Sequence, residues 1–183
     1  MNSTGSRRRD SARGSELITD IASFLKYFDG VNRRAERDVS ALPPEAEAWK
    51  PPAHADESGW DIAQLVAHMA ASRLFFAHAY RGEGWVAKPW TEPTRTRSEW
   101  VAALHGSAEQ LRTALDGTPD EWLQRKVAGI DDPDVQVSGW RLLLMMVEHD
   151  VHHRSQIDTY AGINGWPVPQ IFGRRAEDVG LAR

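Results

Sequence analysis

The fold of this chain is decided by residues 138–160, which read SGWRLLLMMVEHDVHHRSQIDTY. The run opens with a Ser-Gly helix-start signal, and Gly162 follows it as a helix-ending signal, so the run predicts one long helix. His149 and His153 stand four residues apart on this helix, which places both rings on one face, about 5–6 Å apart between Cβ atoms. Two neutral imidazoles in that geometry can share one divalent metal ion.

Three other stretches repeat apolar residues at the helical period and predict helices at about 15–39, 58–80 and 98–116. A Ser58–Asp61 spacing typical of a capping box marks the start of the second. A weakly alternating stretch at 126–137 predicts a small β-hairpin before the last helix. Four long helices with two long connections predict an all-α fold, a four-helix bundle.

Composition limits the classes of function. The chain has 183 residues, a formal net charge of −4 and no cysteine. The acidic balance gives no electrostatic reason to expect nucleic acid or an anionic membrane as a partner. The lack of cysteine excludes disulfides and thiolate ligands, which leaves any metal to histidine and carboxylates. We expect a disordered basic tail over 1–14, one domain over 15–183 and, without a signal core or an apolar run of transmembrane length, a cytoplasmic location.

A third histidine, His68, lies near the midpoint of the second predicted helix on an apolar face with Leu65 and Phe75. If the second and last helices pack together, His68, His149 and His153 can meet in the middle of the bundle. Three buried imidazoles would repel one another if charged, and binding a divalent cation requires them neutral. The alternative is that they are hydrogen-bonded core residues. His152 is the reserve candidate ligand.

The sequence also places other polar residues near the predicted site. Four of them could orient a substrate or the histidine rings: Gln64, Ser72, Gln156 and Tyr160. Glu148 and Asp61 are the only carboxylates placed to act as a base, although an ion pair is the simpler role for Glu148. The remaining histidines are expected to be structural or surface residues: His54, His78 and His105.

Apolar residues outside the predicted core suggest a partner. Leu144, Val147 and Val151 form a second strip on the last helix, about 180° from the histidine face. A simple bundle would leave that strip wet, so it is a candidate homodimer seam, unless the apolar residues at 166–172 fold back over it. Three tryptophans at helix starts are expected to close the ends of the bundle: Trp60, Trp100 and Trp140.

Two segments carry a family resemblance: 62–69, IAQLVAHM, and 148–157, EHDVHHRSQI, followed by GINGWPVP at 162–169. With them the chain resembles the DinB/YfiT-like superfamily, which includes mycothiol-dependent isomerases. The resemblance implies an up-down-down-up bundle with a divalent metal, zinc or nickel, on three histidines. Those positions carry over to His68, His149 and His153. It also implies that a low-molecular-weight thiol, such as mycothiol or bacillithiol, is a possible cofactor.

The expected activity is therefore metal-dependent transfer of a small thiol to an electrophilic small molecule, or isomerisation of that molecule by the thiol. Three protein ligands leave coordination positions open, as in catalytic metal sites. Two other classes of function stay open: a metal-bound dimeric structural or stress-response module without turnover, and a metal-dependent hydrolase. The residues do not identify a catalytic side chain.

Overall fold

The computed structural model describes residues 18–52, 59–86, 94–175 and 177–180. These residues form four α-helices: α1 (Ile21–Ser40), α2 (Ile62–Arg81), α3 (Arg97–Leu115) and α4 (Gly139–Ile163). Two short antiparallel strands, β1 (Lys126–Ala128) and β2 (Gln136–Ser138), make a hairpin that leads directly into α4. The predicted all-α bundle and the predicted hairpin are confirmed, whereas the predicted tail at 1–14 lies outside the described residues.

Side-chain caps fix the starts of the first three helices. In each, the N-cap side chain accepts a hydrogen bond from the third helical residue, whose own side chain accepts one in return: Asp20 with Ser23, Asp61 with Gln64, and Thr96 with Glu99. The prediction that Asp61 is the inner partner of a cap at Ser58 is wrong, because Asp61 is itself the N-cap of α2. Ser58 lies outside the described residues.

The hairpin, not a side-chain cap, holds the start of α4. The Gly139 N–H donates to the carbonyl oxygen of Arg125 at 2.9 Å, while the N-cap Ser138 makes no side-chain cap bond within the described chain. A β-carbon at Gly139 would overlap the carbonyl oxygen of Trp122 and press on the ring of Tyr80. Only glycine therefore allows this close approach of α4 to the preceding turn.

The described residues bury two apolar clusters, and each helix contributes to both. The first cluster includes the early part of α1 and α4 and the late part of α2 and α3, for example Phe24, Met146, Tyr80 and Leu111. The second includes the opposite ends, for example Val39, Ile157, Leu65 and Leu104. Hence α1 and α4 run in one direction and α2 and α3 in the other. This is the up-down-down-up order that the resemblance implies.

A polar layer separates the two apolar clusters, and every helix contributes to it. We define the layer by its buried members: Asn32, Ser72, Arg73, Ser107, Asp150, His153 and Arg154. Buried polar groups need hydrogen-bond partners or a change of ionisation state. The partners of each residue in this layer therefore have to be identified.

Two apolar features differ from the prediction. Val147 is only 4% exposed because it packs into the first apolar cluster, so the predicted strip with Leu144 and Val151 is not continuous on the surface. At the C-terminus Trp166 packs against the second cluster as expected, but Phe172 is 87% exposed.

The three tryptophans at helix starts also differ among themselves. Trp100 is buried, Trp60 packs partly against the second cluster, and Trp140 is 41% exposed, so only the first two help close the bundle. Among the described residues, no helix is both long and apolar enough to cross a membrane.

Candidate metal centre

The structure brings His68, His149 and His153 together between α2 and α4. The Nε2 atoms of His68 and His149 are 2.8 Å apart, and those of His149 and His153 are 3.1 Å apart. Within the described chain, these three side chains could together hold a metal ion, because their candidate ligand atoms all lie within 4.8 Å of one another. Their assignment as ligands remains a prediction, but the meeting of the two helices at these rings is observed.

The spacing of the nitrogens fits a single small ion. Zinc–nitrogen bonds of about 2.0–2.1 Å in a tetrahedral site put ligand nitrogens roughly 3.3–3.4 Å apart. The distances at His149 are slightly shorter, so the rings need to open by only a few tenths of an ångström. Imidazole nitrogen suits zinc, nickel, iron and copper, so the donor set fits a divalent transition metal without selecting one.

Burial keeps two of the rings neutral. It lowers the pKa of His68 to about 4, with the charge of His153 adding to the shift. It also lowers the pKa of His149 to about 3, and again the neighbouring histidines add to the effect. Both rings are therefore uncharged at neutral pH and present lone pairs, which is the form that binds a metal.

The three rings differ in how their outer nitrogens are held. His153 is buried, with 1% of its surface exposed. Its Nδ1–H donates to Oε1 of Gln156 at 2.6 Å. The Nδ1 of His149 is buried without a hydrogen-bond partner among the described residues. His153 is therefore fixed by a side chain one turn along α4, and His149 is not.

Aromatic rings border the cluster on two sides. Trp60 lies 4.9 Å from His68 and 6.3 Å from His153 between ring centroids. Phe76 lies 6.1 Å from His149 and also contacts Trp85. The rings of Trp60 and Phe76 therefore form apolar walls beside the histidines.

The reserve ligand and the other histidines lie outside the group of three. His152 is exposed, with its ring centroid 4.9 Å from that of His153. The other two described histidines pair with carboxylates, His78 with Glu83 at 2.5 Å and His105 with Glu36 at 3.4 Å. His54 lies outside the described residues.

Both candidate carboxylate bases are engaged elsewhere. Glu148 is exposed and pairs with Arg141 of the same helix at 2.8 Å. Asp61 caps α2 and pairs with Lys50 at 2.8 Å. The simple ion-pair role expected for Glu148 is therefore observed, and neither carboxylate joins the histidine group.

The four polar residues expected beside the histidines take different roles. Gln156 binds His153, whereas Gln64 accepts from the Asp61 backbone N–H at 2.9 Å. Ser72 is buried in the polar layer. The ring of Tyr160 packs on Trp49 with centroids 4.9 Å apart.

A buried ion pair near the histidines was missed by reasoning from sequence. Arg73 is fully buried, and its Nε and Nη2 atoms donate to Oδ2 of Asp150 at 3.0 and 2.8 Å. Its Nη1 donates to the Leu104 carbonyl oxygen and the Ser107 hydroxyl at 2.7 and 2.8 Å. Sequence signals the burial of Arg73 but not its partner, since Arg73 lies four residues after Met69 on the apolar face of α2.

The comparisons with known proteins agree with this architecture. The family model described as "DinB family" matches residues 14–180. A DinB-like protein of Bacillus cereus ATCC 10987 superposes with a TM-score of 0.64 at 13% identity, covering 84% of this chain and 99% of that chain. A DinB-like protein of Bacillus subtilis gives a TM-score of 0.62 at 18% identity, covering 81% and 96%. No curated protein matches the sequence.

Proposed function

The protein belongs to the DinB family, and we propose that it is a divalent-metal-dependent enzyme that joins a small thiol to an electrophilic small molecule or uses that thiol to isomerise it. The three convergent imidazole nitrogens of His68, His149 and His153 carry the proposal. In the simplest reaction a sulfur–carbon bond forms, the bond from that carbon to its leaving group breaks, and the group departs with the electron pair. The thiol proton passes to water.

The donor set favours an open site over a closed structural one. Zinc sites that are purely structural are almost always closed by four protein ligands, whereas catalytic sites keep a position for substrate. The three neutral nitrogens would hold a divalent ion, which would lower the pKa of a thiol bound at an open position. The chain has no cysteine, so a sulfur nucleophile must come from outside.

The side chains of the site have separate tasks in this proposal. His68, His149 and His153 would hold the ion between α2 and α4. Trp60 and Phe76 limit water on two sides, which strengthens electrostatic interactions at the reacting sulfur.

Metal content and thiol-dependent turnover test the proposal together. We expect about one equivalent of zinc or nickel per chain in protein purified without a histidine tag, by elemental analysis. His149→Ala should lose the metal, and His152→Ala is the matched control that should keep it.

Cobalt-loaded wild type should gain a sulfur-to-cobalt charge-transfer band when a small thiol is added. Metal-loaded protein that shows neither this band nor turnover across a panel of electrophiles would refute the thiol chemistry.

Metal-dependent hydrolysis is less well supported by the geometry. It calls for a carboxylate base near the ion, and the two candidates, Glu148 and Asp61, are held by Arg141 and Lys50. A non-catalytic metal-bound module would give a different result in these experiments, because it would bind the metal but show no thiol band and no turnover.

We also propose a homodimer formed through α4. Trp140 and Val151 are 41% and 36% exposed on this helix, and half-buried Leu144 lies on the same side. Val151→Lys should lower the mass measured by sedimentation equilibrium from two chains to one, with Thr113→Lys on the exposed surface of α3 as the control. A wild-type mass of one chain would refute the dimer.

A further inference from the structure

We infer that Gln156 is a positioning residue for His153, because it fixes the proton on Nδ1 and so aims the Nε2 lone pair at the point shared by the three histidines. The inference rests on the proposed metal site and deepens it. The amide oxygen of Gln156 can only accept, so the 2.6 Å contact requires the Nδ1–H form of the ring. The other tautomer would place a proton on Nε2, 3.1 Å from Nε2 of His149.

The helix geometry makes this role specific to Gln156. It follows His153 by three residues, so both side chains lie on one face of α4. The second glutamine near the site, Gln64, already accepts from the Asp61 backbone N–H and serves the start of α2. Because Nδ1 of His149 has no partner in the described part of the chain, His153 is the better oriented ligand of the two on α4.

Two substitutions at this position have opposite expected effects on metal affinity. Gln156→Leu removes the acceptor, frees the tautomer and the ring orientation, and should weaken zinc binding by about 10–100-fold. Gln156→Glu replaces the amide by a carboxylate, a stronger acceptor that makes the ring a better donor, and should tighten binding. A role limited to packing would make both variants worse.

The tautomer itself is the first measurement, and it needs no metal. Long-range ¹H–¹⁵N spectra of the metal-free protein should show His153 as the Nδ1–H form in wild type and as a mixture in Gln156→Leu. If His153 of the wild type has its proton on Nε2, the inference is overturned even if the protein binds zinc tightly.

Zinc dissociation constants, measured by competition with a chromophoric chelator, complete the test. Gln64→Leu is the matched control for loss of a glutamine, and it should lower thermal stability without changing zinc affinity. Ser155→Glu is the control for added charge, since Ser155 is exposed and bonds only along its own helix. If zinc binds but both Gln156 variants match these controls, only this inference fails. If wild type takes up no zinc, the proposed function fails and the inference falls with it.

Discussion

Two polar groups in the middle of the bundle solve the problem of burial in opposite ways. The Arg73 guanidinium is surrounded by acceptors from α3 and α4 and pairs directly with Asp150. In the histidine group the Nε2 atom of His149 lies 2.8 and 3.1 Å from those of His68 and His153, and each Nε2 offers a lone pair when its ring is neutral with the proton on Nδ1. In the first group each guanidinium nitrogen has an acceptor within the chain, although Oδ1 of Asp150 has no hydrogen-bond partner among the described residues. The second group acquires its best partner from outside. The comparison separates a polar group kept for structure from one suited to a ligand.

The largest expected effect comes from breaking the pair of Arg73 and Asp150. Arg73→Met leaves the Asp150 carboxylate buried and unpaired, so we expect the free energy of unfolding to fall by about 3–5 kcal/mol. Urea denaturation of metal-free protein measures the change. The double variant Arg73→Met/Asp150→Leu should recover much of the loss, because no charge is then left unpaired. A double variant as unstable as the single one would contradict this account.

The next effect comes from removing a member of the histidine group. His149→Ala should change the stability of the metal-free protein little, yet abolish its stabilisation by zinc. For wild type that stabilisation should reach about 2.7 kcal/mol at a free metal concentration 100 times the dissociation constant. Thermal unfolding with and without zinc measures both quantities. An equal zinc-dependent shift in wild type and variant would show that the metal binds elsewhere.

Acid should destabilise the metal-free protein through the histidine group. The pKa of His68 is lowered to about 4 and that of His149 to about 3, both below the unfolded value of 6.5. The unfolded chain therefore binds more protons between these values, and the stability of the metal-free protein should fall as the pH is lowered from 6.5 towards 4. The variant His68→Ala/His149→Ala should show a flatter profile over this range in urea titrations. If the variant's stability depended on pH as steeply as that of wild type, the lowered pKa values of His68 and His149 would be refuted.

The smallest effect concerns an intermediate case at the α1–α4 contact. Burial, and next the charge of Asp38, raise the pKa of Asp158 to about 6, although Arg154 lies 3.9 Å away. The folded state then binds the proton more tightly, so stability should fall as the pH rises from about 4 to 6. Asp158→Asn should remove this slope and raise stability at pH 7 by less than about 1 kcal/mol. Lower stability of the variant at pH 7 would contradict the prediction.

The part of the site that sequence could predict follows from helical periodicity. His149 and His153 share a face by spacing alone, and His68 meets them because each histidine lies near the middle of an apolar helix face. The Arg73–Asp150 pair could not be derived in the same way. Either residue alone at a core position is a local conflict, and its resolution depends on a partner 77 residues away.

Local capping and packing explain the remaining differences. Several acceptable cap residues precede α2, and only the actual backbone turn shows that Asp61 is the N-cap. The helical pattern puts Val147 on an open strip because it shows which residues share a face but not how many neighbours cover that face. In the structure that part of α4 packs into the first apolar cluster.

The buried arginine also has a consequence for the order of folding. The polar partners of Arg73 lie 31, 34 and 77 residues downstream, on α3 and α4. A nascent chain that has formed only α1 and α2 would therefore lack these acceptors for a buried guanidinium and would have only part of each apolar cluster. The N-terminal half cannot persist as an independent folding unit, so the bundle should assemble late, in one cooperative step, after α4 has been synthesised.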